Sequence, residues 1–166
     1  MINYVIGDAT EPQGGGPKII AHICNDIGAW GAGFTGAISR KWLEPERVYR
    51  RHHRTSGHFP LGSIQNIRVD LDNDNLEYTV VCNMIAQHGI NKEYYGTPFR
   101  TVNYGALAKC LNNLAEYQVA YRQSIHMPRI GAGLGGGDWD IIEELIEYLL
   151  VQRGINVTVY DLPERN

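Results

Sequence analysis

The sequence predicts an α/β domain with a largely parallel sheet, and three observations support this prediction. The chain has 166 residues, a length typical of a single domain over residues 1–166, and 43% of them are hydrophobic, which is enough for one core. Short apolar segments alternate with amphipathic ones, as in sheets that carry helices on both faces. One predicted hairpin, within residues 63–85, makes the sheet mixed.

The first half of the chain supplies most of the predicted sheet. Apolar runs bounded by glycine or turn residues predict strands at residues 2–6, 18–24, 62–69 and 77–86. The polar segment 70–75 predicts the turn of the hairpin. A glycine-rich loop at 25–34 precedes two predicted helices, at 35–42 and 44–57, and Pro45 fits the first turn of the second helix.

The second half alternates helices and strands. Apolar residues spaced three and four apart predict a long helix over residues 99–122. A strand at 124–127 leads into a second glycine-rich segment. An amphipathic helix at 139–154 follows, ending at Gly154, and residues 155–162 form the last predicted strand.

Composition excludes several functional classes. A net charge of −3 argues against a protein that binds nucleic acid by neutralising many phosphates, although one local site can still hold a small anion. The three cysteines have no zinc-site spacing, so reduced thiols in a cytoplasm are expected. The sequence has neither a signal-peptide pattern nor an apolar run of about 20 residues, so no membrane association is expected.

Two segments share one plan: a strand, a glycine-rich turn and a helix. They are "HICNDIGAWGAGFTGAI" at 22–38 and "HMPRIGAGLGGGDWDII" at 126–142. Glycines expose backbone N–H groups, and a helix N-terminus adds partial positive charge, so each loop is a candidate phosphate cradle. Two facing loops could hold a pyrophosphate. The alternative is that the glycines only permit tight, mobile turns.

A dinucleotide-binding fold is not favoured, although Gly131, Gly133 and Gly136 spell G-x-G-x-x-G and Asp161 follows at a suitable distance. That fingerprint belongs at the first strand of its unit. Here it follows the fifth predicted strand, with too little sequence after it for the rest of such a unit.

Four motifs in order, "VIGDAT", "AHICNDIGAWGAGF", "MPRIGAGLGGGDW" and "VTVYDL", resemble the macrodomain family. The resemblance covers most of the chain. It is closest to the branch with terminal ADP-ribose protein glycohydrolase, yeast ADP-ribose-1''-phosphate phosphatase and small bacterial Appr-1-p processing proteins. It implies a three-layer α/β/α domain with a mixed sheet of about six strands and an ADP-ribose cleft at the carboxyl ends of the strands.

The resemblance also implies the ligand contacts. Asp8, beside Ala9, would accept from the adenine amino group, although it can equally stabilise a turn. Tyr160 would line the adenine side, unless it only packs in the core. The first loop would hold the distal ribose and one phosphate through Asn25, Trp30, Gly31, Ala32, Gly33 and Phe34. The second loop would hold the diphosphate through Ile130, Gly131, Ala132, Gly133, Leu134, Gly135 and Gly136.

The chain departs from the family at positions that matter for catalysis. The glycohydrolase uses a lysine after a central strand and an aspartate in the second glycine loop. Here Gln87 or His88 occupies the lysine region, and Gly135 occupies the aspartate position. Lys92 is nearby in sequence, but the role is not transferred to it. A covalent lysine adduct is therefore not expected.

Four residues are candidates for the chemistry. His22 matches a histidine of the phosphatase branch, and His88 lies where the family's active residues fall; each can instead be an ordinary hydrogen-bonded histidine. Asn25 can orient the ribose or a water, and Asp138 can act as an acid or base or simply cap a helix.

We expect a hydrolase of ADP-ribose derivatives that uses no metal and no cofactor. ADP-ribose-1''-phosphate is the leading substrate, and ADP-ribosylated protein or nucleic acid is next. The alternative is a non-catalytic ADP-ribose-binding module. The "RRHHR" stretch at 50–54 is expected to be a solvated helix face, and its adjacent histidines do not form a metal site.

Overall fold

Six strands and four α-helices alternate along the chain in a computed structural model that describes residues 1–57, 59–70, 76–90 and 100–165. The strands are β1 (Asn3–Ile6), β2 (Lys18–Asn25), β3 (Ile64–Arg68), β4 (Thr79–Gln87), β5 (Ser124–Pro128) and β6 (Val157–Asp161). The helices are α1 (Phe34–Lys41), α2 (Glu44–Ser56), α3 (Tyr104–Tyr121) and α4 (Trp139–Leu149).

The strands form one sheet in the order β1-β6-β5-β2-β4-β3. All neighbouring pairs are parallel except β3 and β4, which are antiparallel. The predicted hairpin is therefore confirmed by its strand pairing, while residues 71–75 of its predicted turn lie outside the described residues. The mixed six-stranded sheet confirms the predicted fold class.

Helices cover both faces of the sheet, because successive strand residues point to opposite sides. On one face, Cys82 and Met84 of β4 belong to the main core, which includes residues of α3 and α4. On the other face, Val81 packs with Ile38 of α1, and Ile85 packs in the cluster of Tyr49 from α2. These two cores fix the central strands, whose carboxyl ends carry the glycine loops.

Two helix boundaries differ from the sequence prediction. Helix α3 begins at Tyr104, because the Asn103 side chain accepts a hydrogen bond from the Ala106 amide and caps the helix. The preceding Val102 is extended and bridges to Gln87, while Phe99 lies outside the described residues. Helix α4 ends at Leu149, and a short 3-10 turn, Val151–Arg153, completes the path to Gly154.

Within the described residues, no helix has the length and apolar character needed to cross a membrane. The three cysteines are free and buried.

Candidate functional site

A cleft of about 570 Å³ opens at the carboxyl ends of β2, β4 and β5, between the two glycine loops. All six residues predicted for the first loop line it: Asn25, Trp30, Gly31, Ala32, Gly33 and Phe34. From the second loop come Ile130, Gly131, Gly133, Leu134 and Gly135. Its volume is in the usual range for small-molecule sites. The two loops that looked alike in sequence thus share one cavity.

The first glycine loop is held in shape by Asn25, the last residue of β2. Its side-chain oxygen accepts from the amides of Ile27 and Ala29 at 3.1 and 3.0 Å, and its nitrogen donates to the Ala29 carbonyl at 2.7 Å. The buried Tyr49 hydroxyl lies 2.8 Å from the same oxygen and 2.7 Å from the Asn25 carbonyl. Asn25 therefore organises the loop through both polar atoms of its side chain and through its carbonyl.

The N-terminus of α1 opens onto this cleft. Its N-cap is Gly33, which has φ 59° and provides no side-chain hydrogen bond to the helix. Thr35 instead accepts from the Gly31 amide at 2.9 Å and donates to the Ala32 carbonyl at 2.8 Å, which tightens the loop. The first amides of a helix lack intrahelical partners and carry partial positive charge. Among the described residues these amides have no side-chain acceptor, which leaves them available to an anion.

The second glycine loop folds back on itself. The Gly131 carbonyl accepts from the Gly137 amide at 2.7 Å, and the Gly135 carbonyl accepts from Thr101 and Val102. Within the described part of the chain, the amides of Gly133, Leu134 and Gly135 have no acceptor. These three residues line the same cleft as the start of α1, so their amides are available as a second set of donors.

The helix after this second loop does not repeat the arrangement at α1. The Asp138 side chain accepts from the Asp140 amide at 2.9 Å, so it already caps α4. Asp138 is exposed, and neither it nor the start of α4 lines the cleft. The anion-binding potential of the second loop therefore comes from loop amides and not from a helix N-terminus.

His22 lies at the floor of the cleft and is 1% exposed. Its Nε2 is 2.6 Å from the Asn83 side-chain oxygen, and Asn83 donates in turn to the Pro45 carbonyl and to Gln65. The Asn83 side-chain oxygen can only accept, so Nε2 of His22 carries the hydrogen and Nδ1 of His22 is an acceptor. Nδ1 has no partner within the described residues. Burial lowers the pKa of His22 to about 4, although the Asn83 bond opposes this.

Two aromatic rings enclose His22. Trp30 meets it edge-on at 5.4 Å between ring centroids, and Phe34 lies at 5.7 Å. Trp30 is anchored by its own bond to Ser39 at 2.7 Å. Trp30 therefore packs between the His22 ring and helix α1, and it also lines the cavity.

His88 has the opposite environment, at the rim of the cleft. Its side chain is 78% exposed, and Nδ1 lies 2.7 Å from a carboxylate oxygen of Asp26. The hydrogen bond and the charge of Asp26 raise the pKa of His88. Burial raises the pKa of Asp26, but bonds from the Gly89 amide and from His88 outweigh burial and lower it overall.

The residues predicted for the adenine end lie outside this cavity. One Asp8 oxygen accepts from the Thr10 amide and hydroxyl, both at 2.8 Å, while Ala9 is buried beside it. The Tyr160 ring is buried, and its hydroxyl accepts from the Gln13 amide at 2.9 Å and lies 2.8 Å from His126 Nδ1. Both sit at the carboxyl ends of β1 and β6. Ala132 and Gly136 also lie outside the lining of the cavity.

The motifs did not single out several residues that line the cavity. They are Ile23, Cys24, Ala29, Thr35, Ile90, Pro128 and Arg129, and Gln87, which the sequence placed only in the lysine region, lines it as well. Most of them adjoin a predicted strand end, and this position in the sequence is the feature that could have identified them. Arg129 is also paired with Asp161 at 2.6 Å, with its guanidinium 5.1 Å from the rings of Tyr4 and Trp139. Among the described residues, no group of three potential metal ligands occurs.

Comparison with known proteins finds no matching family model. The chain is 30% identical to mouse chromodomain-helicase-DNA-binding protein 1-like over 167 residues, which spans 98% of this chain but only 18% of that protein. It is 27% identical over 150 residues to the ADP-ribose 1''-phosphate phosphatase of Lodderomyces elongisporus, covering 89% of this chain and 92% of the phosphatase.

A solved structure gives the more complete match. The macrodomain protein of Streptomyces coelicolor superposes with a TM-score of 0.81 and is 44% identical, covering 97% of this chain and 99% of that one. Both the sequence and the whole fold therefore agree, and the resemblance carried by the four motifs is confirmed. The chain belongs to the macrodomain family.

Proposed function

We propose that this protein binds ADP-ribose derivatives in the cleft and hydrolyses them. The observation that carries the proposal is that two sets of backbone amides border one cleft, one at the N-terminus of α1 and one at Gly133, Leu134 and Gly135. Backbone amides that border a cavity of this size suit a diphosphate. The relative named as an ADP-ribose 1''-phosphate phosphatase supports the same ligand.

In this proposal the diphosphate lies between the two loops. The adenosine extends toward Asp8, Ala9 and Tyr160, because β1 and β6 lie to one side of β5. The distal ribose extends toward Gln87, because β4 lies on the other side of β2. A free carboxylate oxygen of Asp8 would accept from the adenine amino group.

The proposed reaction releases ADP-ribose with water as the attacking group. ADP-ribose-1''-phosphate is the leading substrate, and ADP-ribose attached to a protein or nucleic acid is the next. The reaction needs a positioned water and a group that transfers a proton. Of the four candidates, Asn25 positions the first loop, whereas His22 and His88 offer a titratable nitrogen.

A second candidate function is non-catalytic binding of ADP-ribose. It is favoured by the structural bonds of two candidate catalytic residues: Asp138 caps α4, and His22 is enclosed and bonded to Asn83. A binding module would need the loops but no proton-transfer group.

Calorimetry with ADP-ribose tests the binding proposal. Leu134 is 66% exposed at the cleft, so Leu134→Glu should fold normally while its carboxylate repels the diphosphate. We expect Kd to rise by about tenfold or more, which corresponds to about 1.4 kcal/mol. Leu43→Glu is the matched control, because Leu43 is 68% exposed and lies outside the cleft. Equal effects of the two variants would contradict the proposed site.

Turnover is tested separately. The protein is incubated with ADP-ribose-1''-phosphate, mono-ADP-ribosylated protein and mono-ADP-ribosylated DNA, and free ADP-ribose is resolved by chromatography. Release from one of them identifies the substrate. Tight binding of ADP-ribose with no release from any of the three would favour the binding module.

A further inference from the structure

We propose that Asp26 and His88 form a proton-transfer dyad at the β4 end of the cleft, in which Asp26 positions the ring and His88 Nε2 gives the proton that releases ADP-ribose. This inference rests on the proposed hydrolytic function. It assigns a role to a carboxylate that the sequence motifs did not single out.

The geometry of the pair is that of an oriented imidazole. Asp26 directly follows Asn25, and its two oxygens are used separately: one accepts from the Gly89 amide at 2.8 Å, and the other lies 2.7 Å from His88 Nδ1. A carboxylate oxygen can only accept, so Nδ1 carries the hydrogen. The ring is thereby fixed with Nε2 outward, and Nε2 has no partner within the described residues.

The pair lies next to the cavity although it does not line it. Asn25, which precedes Asp26, is a lining residue, and so are Gln87 and Ile90 on either side of His88 and Gly89. The Asp26 amide donates to the Gln87 carbonyl at 3.0 Å, which joins the ends of β2 and β4 at this point. The reacting end of a ligand that enters from the glycine loops would meet this rim.

His88 suits proton transfer better than His22. The Nδ1 acceptor of His22 is buried, enclosed by Trp30 and Phe34. His88 is open to solvent beside the cavity, and Asp26 is the described titratable side chain that bonds to it. Because Asp26 raises the pKa of His88, a larger fraction of the ring is protonated near neutral pH. That protonated form is the one a general acid needs.

With ADP-ribose-1''-phosphate, the oxygen of a water molecule forms a bond to phosphorus, and the bond between phosphorus and the ribose 1''-oxygen breaks. The bonding electron pair stays on the 1''-oxygen, which takes the proton from His88 Nε2. The water that attacked then returns one proton to Nε2, leaving ADP-ribose and hydrogen phosphate. No oxidant, reductant or further reactant is required.

The test measures kcat, KM and the pH profile with ADP-ribose-1''-phosphate, together with the Kd of ADP-ribose. His88→Gln should lower kcat by about 100-fold or more, with Kd unchanged. Asp26→Asn keeps an oxygen for the Gly89 amide but removes the charge. It should lower kcat by about tenfold or more and move the loss of activity at high pH to a lower pH. The double variant should be no slower than His88→Gln alone.

Two controls separate chemistry from structure. Imidazole in the buffer should partly restore kcat in His88→Ala, which a merely structural role would not allow. His52→Gln, an exposed histidine on α2, should leave kcat unchanged.

The possible results separate failure of the dyad from failure of the proposed function. Absence of ADP-ribose binding overturns the proposed ligand. Binding without release overturns hydrolysis, and the dyad with it. Release that survives His88→Gln at the wild-type kcat overturns the dyad alone.

Discussion

Two histidines at the carboxyl ends of neighbouring strands have opposite surroundings, and their pKa values move in opposite directions. Burial lowers the pKa of His22, while the Asp26 carboxylate raises that of His88. Histidine is thus a neutral structural group at position 22 and a readily protonated group at the rim of the cleft at position 88.

The buried state of His22 predicts a pH dependence of stability. Its pKa is about 4 in the fold and about 6.5 in the unfolded chain. Between these values the unfolded state binds more protons, so the free energy of unfolding should fall as the pH is lowered. One histidine contributes about 1.4 kcal/mol per pH unit in this window.

Urea denaturation at pH 6, 5.5 and 5, all inside this window, measures this effect. His22→Gln keeps a donor for Asn83 but does not titrate, so its slope should be smaller than that of the wild type by about the same 1.4 kcal/mol per pH unit. His126, whose pKa burial and Lys18 also lower to about 4, contributes to both proteins and cancels in the comparison. If the unfolding free energies of His22→Gln and the wild type changed equally with pH, the lowered pKa of His22 would be contradicted.

At the scale of elements, the first glycine loop depends on helix α2. Tyr49 is fully buried, stacks on Phe59 at 5.1 Å, and bonds to Asn25 through its hydroxyl. Tyr49→Phe leaves these buried acceptors without that donor, so we expect a loss of about 1–2 kcal/mol in unfolding free energy.

Tyr49→Phe should weaken ADP-ribose binding as well as lower stability, since Asn25 shapes the loop. ADP-ribose calorimetry on Tyr49→Phe should therefore give a raised Kd. Tyr148→Phe, at a tyrosine that is 67% exposed on α4, is the control. A Kd equal to that of the wild type would mean that the loop keeps its shape without this bond.

The contact between α1 and its loop gives a second prediction at this scale. A Cβ added to Gly36 would lie 2.7 Å from the Gly31 carbonyl oxygen, so Gly36→Ala must push the loop away from α1. We expect weakened ADP-ribose binding by calorimetry despite the better helix propensity of alanine. Gly105→Ala, also in a first helical turn and 3.4 Å from its nearest neighbour, should leave Kd unchanged.

At the scale of the whole molecule, the cleft joins elements from distant parts of the chain. Its walls come from the ends of β2, β4 and β5, so a ligand that binds there stabilises the folded state against unfolding. At a ligand concentration of about 100 times Kd the gain is about 2.7 kcal/mol, or on the order of 5–10 °C in Tm for a domain of this size.

A thermal shift series with ADP-ribose measures this gain. AMP and ribose-5-phosphate, which each supply one end of the ligand, should give smaller shifts at the same concentration because neither carries the diphosphate. Equal shifts from all three compounds would argue against a site built around the diphosphate.

The sequence by itself determined the order of the elements, the hairpin and the two glycine loops. These features depend on periodicity and turn residues that are neighbours in the chain, such as the alternation in β3 and the glycine at 154. The four motifs also identified the family. In the second loop, the sequence left Asp138 open as an acid, a base or a helix cap, and only the backbone path shows that its side chain accepts from the Asp140 amide.

The tertiary structure alone decided which groups surround the candidate side chains. Asn83, which fixes the tautomer of His22, is 61 residues away in the chain, and Asp26 is 62 residues away from His88. Such pairs cannot be predicted from residues that are neighbours in the sequence. They arise because parallel strands bring their carboxyl ends to one edge, where distant residues set each other's charge, exposure and hydrogen bonds.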